Sequence, residues 1–117
     1  MFEGVKAPDI FAVLGHPLRR ALLDQLRAGG GAELPVKHLA APFSVSRPAV
    51  SQHLAVLLAA GLVRERKVGR ERRYGLQAER LQEVYEWAGS YESSWAPEMA
   101  AVLQEAGTLK GGARSAP

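Results

Sequence analysis

Residues 46–76, SRPAVSQHLAVLLAAGLVRERKVGRERRYGL, decide the fold. Ser46 is a typical helix N-cap, and Pro48 is tolerated nearby because the first turn's N–H groups have no intrahelical partner. Apolar residues then recur at helical spacing up to a glycine that typically ends a helix: Val50, Leu54, Leu57, Leu58 and Gly61. The pattern predicts a helix over residues 46–60 with one buried face.

Residues 62–76 change to a β pattern. β-compatible residues flank the turn at Gly69, Arg70 and Glu71: Leu62, Val63, Val68, Tyr74 and Leu76. The pattern predicts a two-stranded hairpin, the wing.

Three shorter helices are predicted upstream of this stretch. The first runs from Pro8 to Leu14, and the second begins at Pro17 with His16 as its cap and ends near Ala28. Pro35 is predicted to open a third helix that Pro42 stops. Two helices joined by a tight turn over residues 35–60 form a helix-turn-helix.

Downstream, one long helix is predicted from Ala78, with a kink or break at Pro97 and aromatic residues near one face. The fold class is therefore mainly α with a small β-hairpin: a winged helix-turn-helix within a single domain, residues 1–106. Residues 8–14 and 78–105 are its terminal helical elements, and residues 107–117 are predicted to be a flexible tail.

Composition places the 117-residue chain among small intracellular proteins. It has no cysteine, no long uncharged apolar run and no leader-like N-terminus. These features predict a cytoplasmic location, no membrane association and no disulfide or thiolate chemistry.

The net charge of +3 is unevenly distributed. Residues 62–76 contain six basic and two acidic side chains, whereas residues 77–105 contain one basic and six acidic side chains. A concentrated basic segment favours a polyanionic partner such as double-stranded DNA, although a merely solvated hairpin is the alternative.

The outward side of the 46–60 helix suits base recognition because its side chains are small or form hydrogen bonds. Gln52 can pair with adenine, Arg47 with guanine or a phosphate, and Ser51 with a phosphate or a base edge. The arginines at and after the wing tip suit the minor groove or flanking phosphates. The predicted DNA-binding residues are Ser46, Arg47, Pro48, Ala49, Ser51, Gln52, His53, Arg70, Arg72 and Arg73.

No arrangement of residues indicates an enzyme. His16, His38 and His53 lie in three different helices, and no nucleophile turn, acid pair or phosphate loop accompanies them. We therefore expect no catalytic residue, no cofactor and no metal site.

Two stretches, LGHPLRRALLDQL and VSRPAVSQHLAVLLAAGLVRERKVGRERRYGL, resemble the second helix, recognition helix and wing of the ArsR/SmtB-type bacterial repressors. The resemblance implies a homodimer whose first and last helices pair, and which binds a palindromic operator and usually represses. A dimer is also favoured because one recognition helix reads too few base pairs, and because the chain is rich in large apolar side chains. The predicted interface residues are Ile10, Phe11, Leu14, Val84, Trp87, Tyr91 and Trp95.

The chain departs from the metal-sensing pattern of that family. Arsenic sensors carry two cysteines in a motif like ELCVCDL, whereas residues 33–39 here read ELPVKHL. Zinc sensors use histidines on the last helix, and residues 78–105 contain none. The sequence predicts a regulator that does not respond to metal, with any effector unknown; a protein- or RNA-binding winged helix is the alternative.

Overall fold

The computed structural model describes residues 8–99, 101–102 and 104–105. These residues belong to two compact units, one ending at Val84 and the other starting at Tyr85. The predicted tail at residues 107–117 lies outside the described residues. The elements in chain order are α1 (Ile10–Leu14), α2 (Pro17–Ala28), β1 (Leu34–Pro35), α3 (Val36–Ala40), α4 (Arg47–Ala59), β2 (Val63–Val68), β3 (Glu71–Leu76), α5 (Leu81–Gly89) and a 3-10 turn (Glu92–Ser94).

Side-chain caps fix where the helices begin, as the sequence predicts for two of them. Nδ1 of His16 accepts the N–H of Leu18 at 3.2 Å at the start of α2. Oγ of Ser46 accepts the N–H of Ala49 at 3.2 Å at the start of α4. These caps satisfy N–H groups that the helices leave without a partner, so both helices start at defined residues.

The wing belongs to an antiparallel sheet of three strands in the order β1-β3-β2. Strand β1, which the sequence does not predict, pairs Leu34 with Tyr74 and Pro35 with Arg73. Pro35 is not the first residue of the third helix but the end of this edge strand and the N-cap of α3. A proline fits there because an edge strand needs no N–H on its outer side.

One hydrophobic core holds the first unit together. Helices α2, α3 and α4 and the wing all contribute fully or nearly fully buried side chains, among them Leu22, Leu26, Leu39, Leu54, Leu57, Val63 and Tyr74. Because α3 and α4 share this core with the base of the wing, the helix pair and the wing are held in one rigid body.

The prediction of one long helix from Ala78 is wrong. Helix α5 begins at Leu81 and ends at Gly89, a 3-10 turn follows at Glu92–Ser94, and α-helical backbone returns at residue 97. The helix ends where Gly89 favours an end and Ser90 donates its hydroxyl to the Trp87 carbonyl at 2.7 Å, competing with the backbone ladder. Tyr91 and Trp95 therefore do not continue a stripe on one helix.

No helix in the described part of the chain has the length and apolar character needed to cross a membrane.

Candidate nucleic-acid interface

Helix α4 divides cleanly into a buried and an exposed side. Val50, Leu54 and Leu57 are fully buried, whereas Arg47, Pro48 and Gln52 are exposed. Beyond Arg47 the exposed residues of the helix carry no charge, and they are Pro48, Gln52, Ala55 and Ala59. An exposed helix face of this kind can approach the edges of bases closely, because no long charged side chain stands in the way.

The side chains predicted to read DNA differ in how freely they are presented. Ser46 is exposed but its hydroxyl is engaged in the cap, and Ala49 and Ser51 are half-buried. The Gln52 amide is exposed and makes no hydrogen bond to any described residue. Among the uncharged polar side chains of α4, Gln52 is therefore the one most available to bind a partner.

His53 faces the other way. Its ring is half-buried, and its Nδ1 accepts a hydrogen bond of 3.2 Å from Nε of Arg19 on α2. The structure thus places His53 against α2 rather than beside Gln52 on the exposed face, and we remove it from the set of DNA-contacting residues.

Most of the basic charge in the wing is already paired. Arg64 and Arg66 both contact Glu33, at 3.5 and 2.7 Å, and Arg73 contacts Glu71 at 2.9 Å. The hydrogen bond from Arg66, assisted by Arg64, holds the pKa of Glu33 below its usual value. The guanidinium of Arg64 also lies across Gly75 in the adjacent strand, where an added Cβ would come within 2.6 Å of its Cζ.

Glu65 joins two side chains on the opposite face of the hairpin. Its Oε2 accepts hydrogen bonds from Nη1 of Arg72 at 2.7 Å and from the Tyr74 hydroxyl at 2.9 Å. The hydrogen bond from Arg72, followed by that from Tyr74, lowers the pKa of Glu65. Burial and the bond to Glu65 raise the pKa of Tyr74 to about 12, so this network stays intact across the physiological range.

Three cations without a described ion-pair partner surround one open cleft. Lys37 comes from α3, Arg47 from the start of α4, and Arg70 from the turn of the wing. The cleft is also lined by Pro35, Val36, Pro48, Ser51, Glu71 and Arg72. The two charged residues of this second group are already paired, Glu71 with Arg73 and Arg72 with Glu65. Unpaired cations from three elements that converge on one cleft form a site suited to an anion such as a backbone phosphate.

Sequence reasoning finds Arg47 and Arg70 but misses Lys37. The available signal is that the first helix of a helix-turn-helix braces on the DNA backbone, so its single lysine is a natural phosphate contact. Arg72, in contrast, lines the same cleft already paired with Glu65, and Arg73 is paired with Glu71 and does not line the cleft.

The residues predicted for a dimer interface fall into two groups. Ile10 is 1% exposed, and Leu14 and Val84 pack against the same core, so these three stabilise the first unit itself. Phe11 remains exposed on α1. In the second unit, Trp87 and Tyr91 are about half exposed and their rings meet edge-to-face at 5.3 Å, while Trp95 is half-buried.

No group of three or more histidine, aspartate or glutamate side chains comes together as a metal site in the described ranges.

The fold and this surface define the class of protein: the chain is a winged helix-turn-helix DNA-binding protein. A helix-turn-helix domain model matches residues 14–66. The crystal structure of an ArsR family transcriptional regulator, RHA00566, is 34% identical in sequence to this chain and superposes on it with a TM-score of 0.63. The match spans 74% of this chain and 86% of that regulator. The chain belongs to the ArsR family of transcriptional regulators.

Other relatives agree with this assignment. The crystal structure of a possible transcriptional regulator for arsenical resistance is 38% identical with a TM-score of 0.59, over 84% of this chain and 96% of that one. The transcriptional repressor SdpR of Bacillus subtilis is 29% identical over 79 residues, which are 68% of this chain and 84% of SdpR. The regulator Rv2034 of Mycobacterium tuberculosis is 44% identical over 72 residues, 61% of this chain and 64% of Rv2034.

Family membership confirms the predicted fold class and the resemblance to ArsR-type regulators. It also confirms that the chain is a transcriptional regulator rather than an enzyme.

Proposed function

We propose that this regulator is a cytoplasmic repressor that binds a palindromic operator as a homodimer and does not respond to metal ions. The observation that carries the proposal is the cleft lined by Lys37, Arg47 and Arg70, which lies beside the uncharged exposed face of α4. The cations would hold the DNA backbone while the helix face reads bases.

In this arrangement α4 enters the major groove, which at roughly 12 Å is wide enough for a helix. Gln52 offers both an amide donor and an acceptor, the pair that matches N7 and N6 of adenine. Arg47, in the first turn, reaches either a guanine or a phosphate, and Ser51 adds a short hydroxyl at the rim of the cleft. Ser46 and Pro48 hold the start of α4 close to the DNA backbone.

The wing contributes attraction more than sequence recognition. Arg70 has no described partner and projects from the turn, so it can contact a phosphate without first breaking an ion pair. Arg72 and Arg73 would have to share their charge with Glu65 and Glu71 and therefore contribute less each.

Homodimerisation supplies the second recognition helix. One helix contacts too few base pairs for selectivity, and a two-fold pair presents two helices about one DNA turn apart. Exposed apolar surface for such a contact is offered by Phe11 in the first unit and by Trp87 and Tyr91 in the second. Trp95 follows Tyr91 closely in sequence. Residues 85–105 hold four glutamates and no basic residue, which keeps this segment away from DNA.

Repression and independence from metal are inferred from different features. SdpR is a repressor, and an operator that overlaps a promoter would be closed to the polymerase when the dimer occupies it. Residues 33–39 lack cysteine and hold a single histidine, His38, and residues 78–105 lack both cysteine and histidine, so neither segment has the set of ligands that a transition-metal sensor uses.

A gel shift and footprint on the DNA upstream of the protein's own gene test this proposal, because small regulators often act on their own promoter. We expect one retarded complex and a footprint with two-fold symmetric halves about one helical turn apart. The matched control is the triple alanine variant of Lys37, Arg47 and Arg70, which should keep the fold and lose the complex. If wild type protects no segment of that DNA and selects no sequence from a random pool, the proposal is wrong.

A further inference from the structure

A cluster of three side chains, His16, Arg19 and His53, lies between α2 and α4, where His53 faces α2 rather than the exposed face of α4. His53 on α4 accepts a hydrogen bond at Nδ1 from Nε of Arg19, 3.2 Å away, and its ring centroid is 4.3 Å from that of His16. Arg19 also donates through Nη1 to the Val13 carbonyl at 3.2 Å. One guanidinium therefore connects the end of α1, the first turn of α2 and the middle of α4.

The hydrogen bond in this cluster requires a neutral imidazole at His53. His53 accepts at Nδ1 from Arg19, and His16 accepts at Nδ1 from the N–H of Leu18. An imidazole that accepts at Nδ1 carries its proton on Nε2, and protonation converts Nδ1 into a donor. A proton on His53 would thus set one N–H against another and place a second cation beside the Arg19 guanidinium.

The electrostatic surroundings of His53 also favour its neutral form. Burial, followed by the charges of His16 and Arg19, lowers the pKa of His53 below its usual value. Both of these groups belong to the α2 side. Helix α1 has no titratable side chain, Arg47 is the only other titratable residue of α4, and no α3 or wing residue in the described part acts on the imidazole.

We propose that Arg19 and His53 form a proton-sensitive positioning pair for the recognition helix. Neutral His53 holds α4 against α2 in the orientation that presents Gln52 and Ser51, and protonation of His53 releases the helix and weakens operator binding. This inference rests on the proposed function, and it makes His53 a positioning residue that acts through its neighbour Gln52.

The sign of the effect separates it from ordinary electrostatics. Because the pKa of His53 is lowered by folding, its contact with Arg19 is complete above the usual value of 6.5 and is lost as the pH falls through the lowered value. A more positive protein should bind DNA more tightly in acid if only attraction to phosphates mattered. The positioning pair predicts the opposite for the operator.

Fluorescence anisotropy with an operator duplex and a random duplex, at constant ionic strength between about pH 7.5 and about pH 4.5, tests the pair because this range extends well below the ordinary pKa of histidine. We expect operator affinity to fall on acidification by up to about tenfold per pH unit. Affinity for the random duplex should stay constant or rise.

Matched variants make the test specific. The amide oxygen of His53→Asn can accept from Arg19 without titrating, so this variant should keep neutral-pH affinity with a flat profile, whereas His53→Leu should lose operator affinity at every pH. His38→Asn removes an exposed imidazole on α3 and should keep the wild-type profile.

The pair is overturned by wild-type operator affinity that is flat or rises in acid, or by a His53→Asn profile that matches wild type. An equal acid loss on operator and random duplex, the signature of unfolding, would also overturn it. Wild type that binds no operator at neutral pH would contradict the proposed function itself, whereas binding with a flat profile contradicts only the positioning pair.

Discussion

Replacing Arg70 by alanine should remove one phosphate contact without disturbing the wing. Arg70 is exposed, has no described ion-pair partner, and follows Gly69, whose positive φ of 64° shapes the turn. Each phosphate contact adds about 0.9 to the slope of log affinity against log salt. Arg70→Ala should therefore lower the slope by about 0.9, equivalent to a roughly threefold to fourfold smaller loss of affinity over a fourfold rise in salt.

The control is Arg66→Ala in the same hairpin. Arg66 is held by Glu33 at 2.7 Å, so removing it takes little free positive charge from the surface and should leave the slope unchanged. Arg72→Ala should have a smaller effect than Arg70→Ala because Glu65 already neutralises Arg72. Anisotropy titrations at several salt concentrations, on operator and random duplexes, measure all three slopes. Equal slopes for the Arg70 and Arg66 variants would refute the division of the wing into free and paired cations.

Three further results are expected. Gln52→Ala should weaken operator binding by about 1 to 3 kcal/mol and relax the preference at one base pair, and undiminished affinity would exclude Gln52 as a reader. Tyr91→Glu should place a charge in a desolvated contact and yield monomers in sedimentation that bind DNA poorly; a wild-type protein already monomeric at micromolar concentration would contradict the dimer. Zinc, cadmium, copper and arsenite at micromolar concentration should leave the protein–operator complex intact, and release by any of them would show a metal response.

The elements of the first unit could be predicted because their signals are local. The structure has helix caps at His16 and Ser46 as predicted, and it buries the apolar residues of α4 that the spacing predicts. Strand β1 could not be predicted because it is only two residues long and exists through its pairing with Tyr74 and Arg73. The spacing of the aromatic residues predicts too long a last helix because it continues across Gly89 and Ser90, where the glycine and the hydrogen bond of the Ser90 hydroxyl to the Trp87 carbonyl end α5.

The DNA-facing surface is only partly predictable from the sequence, because the sequence does not show which wing arginines are paired with carboxylates. The register of the hairpin puts Glu65 opposite Tyr74 and near Arg72, which turns a row of arginines into a partly neutralised network. A hairpin register drawn from the Gly69 turn could have found this pairing. His53 also had a signal, since it lies three residues after Val50 and four before Leu57, on the inner side of the helix.

The most direct measurement compares the affinity of wild type for its best selected duplex with its affinity for a scrambled duplex of the same length and composition, at physiological salt. A helix face that reads bases from the major groove predicts a preference of about 10³-fold or more for the selected sequence. Equal affinity for the two duplexes would mean that the cleft only attracts phosphates, and it would contradict sequence-specific regulation by α4.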